Sequence, residues 1–202
     1  LGVLIAGVIV TTITYGAEPA GNGVDYDGFV EGDDAKKLGG TLAYDHTCQQ
    51  YGDVGADYKI TPKGLTSDNY DITYETGTLT VEQLEAAFTW SNTETRAYDG
   101  KESKVTAAVN NLQDKDAITV EVTGGKETEA GTHTATITGL KGEKAGNYKL
   151  PKVLTQEYKI VQSAAEVTKI QADKGSYIYG DTVTVNANLA PTGNAPKEKG
   201  LF

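Results

Sequence analysis

The sequence predicts a mainly β fold built from tandem small domains, and three observations lead to this prediction. The 202-residue chain is rich in Thr, Val, Tyr and Gly, a composition that favours pleated strands and tight turns. Apolar and polar residues alternate along many short segments, which is the two-residue period of a half-buried strand. Short landmarks also recur at a nearly constant spacing, which is the signature of a repeat architecture.

Two kinds of landmark define the repeat. Tyr15, Tyr98 and Tyr179 follow one another at intervals of 83 and 81 residues, and each is followed by Gly within two positions. An Asn-Tyr pair begins at Asn69 and again at Asn147, 78 residues later. Two diverged units and the beginning of a third are therefore expected.

These landmarks predict three consecutive domains. We place the first at residues 1–83, the second at 84–163, and a partial third repeat or C-terminal extension at 164–202. A segment of about 40 residues without a disulfide or metal seldom folds alone, so the third part is expected to belong to a larger domain. The two complete domains are expected to be Ig-like sandwiches or β-grasp-like folds, with at most one short helix each.

The first ten residues are almost entirely apolar. They supply about half of the roughly 20 residues that a membrane-spanning helix needs, and no basic region precedes them as it would in a signal peptide. The run continues into Thr-rich sequence at residues 11–15. We expect a strand that is covered on both faces or pairs with a neighbouring domain, with a signal-peptide remnant as the alternative.

Two short segments have a helical pattern. Residues 33–38 combine acidic residues at the start with two lysines at the end, and Gly39 follows as a stop signal. Residues 81–87 either form one helical turn or link the first two domains. No other segment predicts a helix.

Alternation is clearest at residues 70–81. The apolar positions 70, 72 and 74 and then 79 and 81 share one face, and a Glu-Thr-Gly sequence separates the two runs, which predicts a β-hairpin. The same pattern predicts further strands at 105–109, 118–122, 135–138, 166–170 and 176–187.

Glycines and the recurrent Asn-Tyr pair have specific expected roles. Gly16, Gly77, Gly100 and Gly146 are expected at turn positions with positive φ, which glycine adopts without strain. The tyrosine of each Asn-Tyr pair is expected to cover the edge of the core and to hydrogen bond to backbone through its hydroxyl.

Charge and residue counts exclude several classes of function. The net charge of −10 repels phosphate backbones, so we expect no nucleic-acid partner, and we expect no membrane insertion by this chain. The single Cys cannot form an internal disulfide, and two isolated His provide no metal cluster. Because no catalytic motif such as G-x-S-x-G, a P-loop or H-E-x-x-H occurs, we expect no enzyme, no catalytic residue and no cofactor.

Three special chemistries compete with simpler interpretations of the same residues. Cys48 next to Gln49 invites an internal thioester, but a lone loop thiol is the simpler interpretation. Asn69, Asn147 and several Lys are available for an isopeptide bond, although the spacing selects no triplet. The acidic residues at 25–34 could supply oxygens to Ca²⁺ but lack the EF-hand pattern, so a solvated acidic face is expected, and no metal site.

Three aromatic residues are the candidate ligand-binding residues. Tyr44, Tyr51 and Trp90 are the aromatics that the alternating pattern does not assign to a core stripe, and sugar recognition commonly uses an exposed aromatic face. Core packing is the competing interpretation, and Trp90 shares its strand face with Phe88.

The blocks of the first domain resemble a known family. These blocks are residues 13–16, 28–33, 53–62 and 69–81. Together they resemble the MBG repeat of the YGX type, found in large surface proteins of bacteria, over residues 15–82.

The rest of the chain resembles related repeats. Residues 88–162 are similar to the YDG-type repeat, through 97–101, Ala130-Gly131 and 145–148. Residues 179–184 are similar to the start of a bacterial Ig-like repeat.

These resemblances imply non-catalytic repeat modules of an extracellular surface protein or adhesin of a Gram-positive bacterium, either attached to the cell wall or secreted. Such modules act as a stalk and presentation scaffold, and their partners are neighbouring repeats of the same parent protein. The alternative is a carbohydrate- or mucin-binding module that recognises a host or dietary glycan.

Overall fold

The computed structural model describes residues 1–191 and confirms the mainly β fold. The helical elements in this range are two 3₁₀ turns, Ala35–Lys37 and Ala145–Asn147. Residues 192–202, the end of the expected third part, lie outside the described residues.

The strands are numbered β1 to β17 in chain order. The first eight are β1 (Gly2–Val8), β2 (Thr11–Thr14), β3 (Val24–Asp27), β4 (Gly39–His46), β5 (Gly55–Thr66), β6 (Tyr70–Glu75), β7 (Gly77–Glu82) and β8 (Leu84–Glu85). The others are β9 (Phe88–Ser91), β10 (Arg96–Ala97), β11 (Thr106–Val109), β12 (Thr119–Thr123), β13 (Gly131–Lys141), β14 (Tyr148–Lys149), β15 (Thr155–Val161), β16 (Ala165–Ala172) and β17 (Val185–Pro191).

The chain forms two compact units that are not contiguous in sequence. Unit 1 comprises Leu1–Ala87, Val109–Thr119 and Leu140–Pro151, and unit 2 comprises the remaining segments. Unit 1 therefore contains the whole first repeat and two segments of the second. The domain boundaries expected at residues 83 and 163 separate repeats of the sequence, not these compact units. They stay a prediction.

Unit 1 contains a four-stranded sheet in the order β2-β7-β5-β4 and a three-stranded sheet in the order β3-β1-β6. β1 runs parallel to β6, with Gly2 opposite Tyr70, and β2 runs parallel to β7. Consecutive strands β6 and β7 thus lie in different sheets, and the hairpin expected at residues 70–81 is wrong. The alternation itself is confirmed, because Tyr70, Leu79 and Val81 are all buried.

The apolar first strand forms, but only one of its faces is covered. Leu4 and Ala6 are fully buried in unit 1, whereas Val3 on the opposite face is 62% exposed. A strand was expected and is confirmed, while coverage of both faces is wrong. Alternation of burial along β1 shows that its odd-numbered positions do not face the core.

The two segments with a helical pattern do not form α-helices. Within residues 33–38, only the 3₁₀ turn Ala35–Lys37 forms, capped by the Asp34 carboxylate, which accepts a hydrogen bond from the Lys36 N–H at 2.8 Å. Gly39 already begins β4. Residues 81–87 form the end of β7 and then β8 instead of a helical turn. Both segments are too short to offset the cost of nucleating a helix against sheet pairing.

Unit 2 contains a four-stranded sheet in the order β10-β15-β13-β12. This order repeats that of the first four-stranded sheet: β10 pairs with β15 in parallel, as β2 does with β7, and β15 pairs with β13 antiparallel, as β7 does with β5. The core of unit 2 is the buried cluster of Val105, Ala135, Tyr158 and Ile160. The tandem β-rich architecture expected from the landmarks is present in the topology.

The last described element is an antiparallel hairpin of β16 and β17. In this hairpin Val167 lies opposite Leu189. In the pair of β1 and β3, Ile5 lies opposite Asp27, and each of these residues lies 162 positions before its counterpart in the hairpin. The strand expected at 166–170 is confirmed, whereas the one expected at 176–187 forms only from Val185 onward.

The four glycines expected at positive φ divide into two groups. Gly16 and Gly100 have φ of +90° and +75°, as expected. Gly77 and Gly146 are not among the residues with positive φ. Gly77 is needed for space instead, because a Cβ there would lie 2.0 Å from a methyl carbon of Val8.

Candidate functional site

Each Asn-Tyr pair ends in a buried tyrosine with the same hydrogen-bonding pattern. The Tyr70 hydroxyl accepts a hydrogen bond from the Val30 N–H at 3.1 Å and donates one to the Asp33 carboxylate at 2.7 Å. The Asp33 N–H in turn donates to the Val30 carbonyl at 3.0 Å, which closes a turn. The phenol therefore fixes this turn at the edge of the sheet that contains β6.

Tyr148 repeats this arrangement in the second repeat. Its hydroxyl accepts from the Gln113 N–H at 2.8 Å and donates to the Asp116 carboxylate at 2.6 Å, and the Asp116 N–H donates to the Gln113 carbonyl at 3.0 Å. We call each set of tyrosine, turn amide and turn carboxylate a tyrosine latch. The expected backbone hydrogen bond of the Asn-Tyr tyrosine is confirmed, and the carboxylate is an addition that the sequence did not predict.

The second latch also binds a tyrosine of the first repeat. The Tyr15 hydroxyl donates to Asp116 at 3.0 Å, and the rings of Tyr15 and Tyr148 meet edge to face with centroids 5.6 Å apart. Burial, followed by the hydrogen bond to Asp116, raises the pKa of both tyrosines. Both phenols therefore stay protonated at neutral pH and act as donors to one carboxylate.

Asp53 of the first repeat binds the segment just before the second latch. Its Oδ1 accepts hydrogen bonds from Lys144 Nζ at 2.6 Å and Asn147 Nδ2 at 2.8 Å, and the Val54 N–H donates to Asn147 Oδ1 at 2.9 Å. The hydrogen bond from Asn147, followed by that from Lys144, lowers the pKa of Asp53, and the same contact raises the pKa of Lys144. Asp53 and Lys144 are therefore an ion pair.

Gln83 and Leu84 complete the contact. Gln83 Nε2 donates to the backbone carbonyls of Gly146 at 3.0 Å and Tyr148 at 3.3 Å. Leu84 pairs in parallel with Tyr148 in the two-stranded sheet of β8 and β14.

The candidate functional site is this docking arrangement within unit 1. We call the second-repeat residues 144–148, with Asp116, the docking segment. The first-repeat residues that bind it are named the socket, and they are Tyr15, Asp53, Val54, Gln83 and Leu84.

The repeat interval of the sequence marks part of this site. Val30 and Asp33 of the first latch lie 83 residues before Gln113 and Asp116, the same interval that separates Tyr15 from Tyr98. The role of Asp53 could not be found in this way, because its partners lie more than 90 residues away.

The three candidate ligand-binding aromatics belong to different elements of the fold. Tyr44 is on β4, half-buried, and its hydroxyl accepts from the Gly23 N–H at 2.9 Å. Tyr51 lies in the loop before β5 and is half-buried, with φ of +63°. Trp90 lies in unit 2 and packs against that unit's core cluster. Ligand binding by these residues stays a prediction.

Cys48 is buried rather than exposed in its loop. It is 1% exposed, and its Sγ donates a hydrogen bond to the Gln49 carbonyl at 3.3 Å. Burial raises the pKa of the thiol, so the thiolate is disfavoured. This environment keeps the thiol unreactive.

Two of the acidic residues at 25–34 accept hydrogen bonds within the fold. Asp33 accepts the Tyr70 hydroxyl, and Asp34 caps the 3₁₀ turn. Over residues 1–191, no group of three or more His, Cys, Asp or Glu side chains is placed to hold a metal ion.

An isopeptide triplet that the spacing did not select is brought together by folding. Lys144 and Asn147 both contact Asp53, but the Asp53 side chain is 62% exposed. Because the contact with Asp53 raises the pKa of Lys144, its amine is held as an ammonium without a lone pair to attack the Asn147 carboxamide. The arrangement favours an ion pair over a covalent bond.

One comparison with known proteins finds a family model that matches most of the first repeat. Residues 8–80 match the family model described as MBG domain (YGX type), which covers the chain from the end of β1 into β7. The resemblance stated for the first domain is confirmed, and the YDG-type and Ig-like resemblances stay predictions. No curated protein matches the chain. In the range 1–191, no helix is long and apolar enough to cross a membrane.

Proposed function

We propose that this chain consists of non-catalytic repeat modules of an extracellular bacterial surface protein or adhesin, cell-wall attached or secreted, that act as stalk and presentation scaffold. The observation that carries this proposal is the docking of a second-repeat segment into a first-repeat socket within unit 1. The match of residues 8–80 to the MBG domain supports it, since this family is a repeat module of surface proteins.

The physical logic of a stalk fits the contacts of the socket. A repeat that contacts its neighbour through several hydrogen bonds to buried groups adds its length to the chain at a fixed geometry. One phenol and one amide each bind a carboxylate of the other repeat here, and hydrogen bonds to charged groups are the stronger kind. The net charge of −10 disfavours self-association of such a chain.

Surface labelling of the source cells tests this proposal. Antibodies raised against the purified chain are expected to label intact cells or the culture medium, and external protease is expected to remove the cell-bound signal. Labelling that requires permeabilised cells would contradict an extracellular location. Small-angle X-ray scattering of tandem duplicates tests the stalk directly, because the maximum dimension should grow with repeat number.

Glycan or mucin binding is the second candidate function, and Tyr51 is the observation that favours it. Its ring is half-exposed, and its backbone lies in the left-handed region that residues other than glycine rarely adopt, a feature enriched at functional sites. Saturable binding to a glycan and mucin array that Tyr51→Ala or Tyr44→Ala abolishes would support it. Trp90→Ala tests the third aromatic, and silence across the array would leave the stalk function alone.

A further inference from the structure

Unit 2 contains an open cavity of about 350 Å³ at one end of its four-stranded sheet. It is lined by Tyr98, Glu129, Ala130, Gln162 and Ser163. Neither the sequence motifs nor the family match assigns a role to this cavity. Its lining is half-exposed or exposed, so the cavity is accessible from solvent.

The aromatic residue of this cavity occupies the structural position of Tyr15. The Tyr98 N–H donates to the Val161 carbonyl at 2.8 Å, just as the Tyr15 N–H donates to the Glu82 carbonyl at 2.8 Å. Both acceptors are the last residues of equivalent strands, β15 and β7.

The other four lining residues are also counterparts of socket residues. Gln162 and Ser163 follow β15 as Gln83 and Leu84 follow β7. Directly before the glycine that begins β13 stand Glu129 and Ala130, and directly before the glycine that begins β5 stand Asp53 and Val54. The cavity therefore has a residue at the position equivalent to each of the five socket residues.

The two sites differ in whether their polar side chains form hydrogen bonds. In unit 1 the Tyr15 hydroxyl and the Gln83 amide both donate to the docking segment, and Tyr15 is 2% exposed. Within residues 1–191, the Tyr98 hydroxyl and the Gln162 side chain have no hydrogen-bond partner, and Tyr98 is only half-buried. Ser163 donates its hydroxyl hydrogen bond to the Tyr98 carbonyl within the cavity, whereas the Tyr98 hydroxyl, the Gln162 amide and the Glu129 carboxylate are free among the described residues.

We infer that the Tyr98 cavity is a second repeat socket, and that its occupant is the docking segment of a further repeat of the same class. This inference rests on the proposed function, because it requires a chain of tandem repeats. The hairpin of β16 and β17 supports the occupant, since it begins at Ala165, two residues after the cavity's Ser163, and its pair of Val167 and Leu189 lies 162 positions after the pair of Ile5 and Asp27 in β1 and β3.

The chemistry of the occupant follows from the contacts in unit 1. Glu129 receives the ammonium of a lysine and the amide of an asparagine, and the Ala130 N–H donates to the same asparagine. Gln162 donates to backbone carbonyls of the segment. The Tyr98 hydroxyl donates to the carboxylate of a latch aspartate. A segment of the form Lys-x-x-Asn-Tyr, with a latch aspartate beside it, satisfies all of these groups.

A tandem insertion tests the inference. A second copy of residues 85–163 is inserted after Ser163, the counterpart of Leu84, so that the full chain is kept and an intact docking segment follows the Tyr98 cavity at the native spacing. The inserted copy carries Tyr98→Phe, which leaves the original Tyr98 as the one reporter of its cavity. The rate of nitration of this tyrosine by tetranitromethane is then measured by peptide mass spectrometry.

We expect Tyr98 to be nitrated on the order of tenfold more slowly in the insertion protein than in the parent chain, because docking buries it. The matched control is the same insertion with Asn147→Ala and Tyr148→Phe in the inserted copy, which should restore the parent rate. If Tyr98 reacts at the parent rate although far-UV circular dichroism shows the inserted copy folded, the inference is overturned. The stalk function survives that result, since folded repeats can extend the chain without docking.

A peptide experiment decides the case in which the insertion does not fold. A synthetic peptide of residues 109–151, which contains Asp116 as well as residues 144–148, is titrated into the parent chain, and the nitration of Tyr98 is followed as before. Saturable protection that is lost with an Asn147→Ala peptide supports the second socket. Absence of protection at millimolar peptide contradicts it.

Discussion

The two tyrosine latches of unit 1 share one geometry and differ in what surrounds them. Tyr70 and Tyr148 each accept a turn N–H and donate to the aspartate three residues further along that turn. Asp33 binds one tyrosine, whereas Asp116 binds two, because Tyr15 also donates to it. The contacts that both latches share hold a turn and a tyrosine of the same repeat together. The additional hydrogen bond from Tyr15 to Asp116 joins the first repeat to the second.

The asparagine before each tyrosine shows the same division. Asn69 is exposed, and its backbone N–H donates to Ser67. Asn147 is 4% exposed and hydrogen bonds to Asp53 and Val54 through its side chain. A recurrent sequence motif therefore has one role in both repeats and a second role only where a socket binds it.

The largest expected effect of a single substitution is at Asp116. Asp116→Ala leaves two buried phenols without an acceptor, and we expect a loss of about 2–5 kcal/mol in the free energy of unfolding of unit 1. Asp33→Ala leaves one phenol without an acceptor and should cost less. Urea denaturation followed by far-UV circular dichroism measures both. Equal losses would show that Tyr15 contributes nothing through Asp116.

The asparagine pair should show the next largest difference. Asn147→Ala removes the partner of the Val54 N–H and one partner of Asp53, with an expected cost of about 1–3 kcal/mol. Asn69→Ala, at an exposed position, should stay within about 0.5 kcal/mol. Hydrogen exchange of the β5 amides reports the stability of unit 1 in each variant. A large effect of Asn69→Ala would refute the division of roles between the two asparagines.

Alkaline pH should weaken the second latch. Because burial and Asp116 raise the pKa of Tyr148, its contribution is fully present below the unfolded-state pKa of about 10 and is lost as pH rises towards the folded value. Stability should then fall by about 1.4 kcal/mol per pH unit for this group. Denaturation at several pH values above 9 measures the slope. Tyr148→Phe should reduce it, and Tyr179→Phe, at a fully exposed position, is the control.

Acidic pH should have the smallest effect, through the ion pair of the docking segment. The hydrogen bonds from Asn147 and Lys144 lower the pKa of Asp53, so its contribution is present above the unfolded-state pKa of about 3.9 and is lost as pH falls through the lower folded value. The side chain is largely exposed, so the contribution is small. An NMR titration of the Asp53 carboxyl measures its pKa, which Asn147→Ala should move towards the ordinary value.

Much of the fold could be predicted from the sequence, but the neighbours of each strand could not. Alternation correctly indicated that Tyr70, Leu79 and Val81 face the core, because side chains on a strand alternate by geometry. The same alternation did not indicate that β6 pairs with β1 rather than with β7, since a parallel pair joins residues far apart in sequence.

In the candidate site, too, the local features could be predicted from the sequence and the long-range contacts could not. The Asn-Tyr pairs were found as a recurrent local motif, and their buried tyrosines were expected. Asp53, Gln83 and Asp116 were missed, because isolated polar residues in loops carry no periodic pattern that separates them from solvated ones. Their roles appear only when a partner from the other repeat lies within hydrogen-bonding distance.

The sequence by itself determined the β class, the repeat interval and the buried face of the core strands, because these depend on local periodicity and composition. Only the tertiary structure decided which strands pair, that unit 1 takes segments from both repeats, and that one aspartate binds two tyrosines. These features depend on contacts between residues far apart in the chain, whose free energy is gained only after the intervening chain has been ordered.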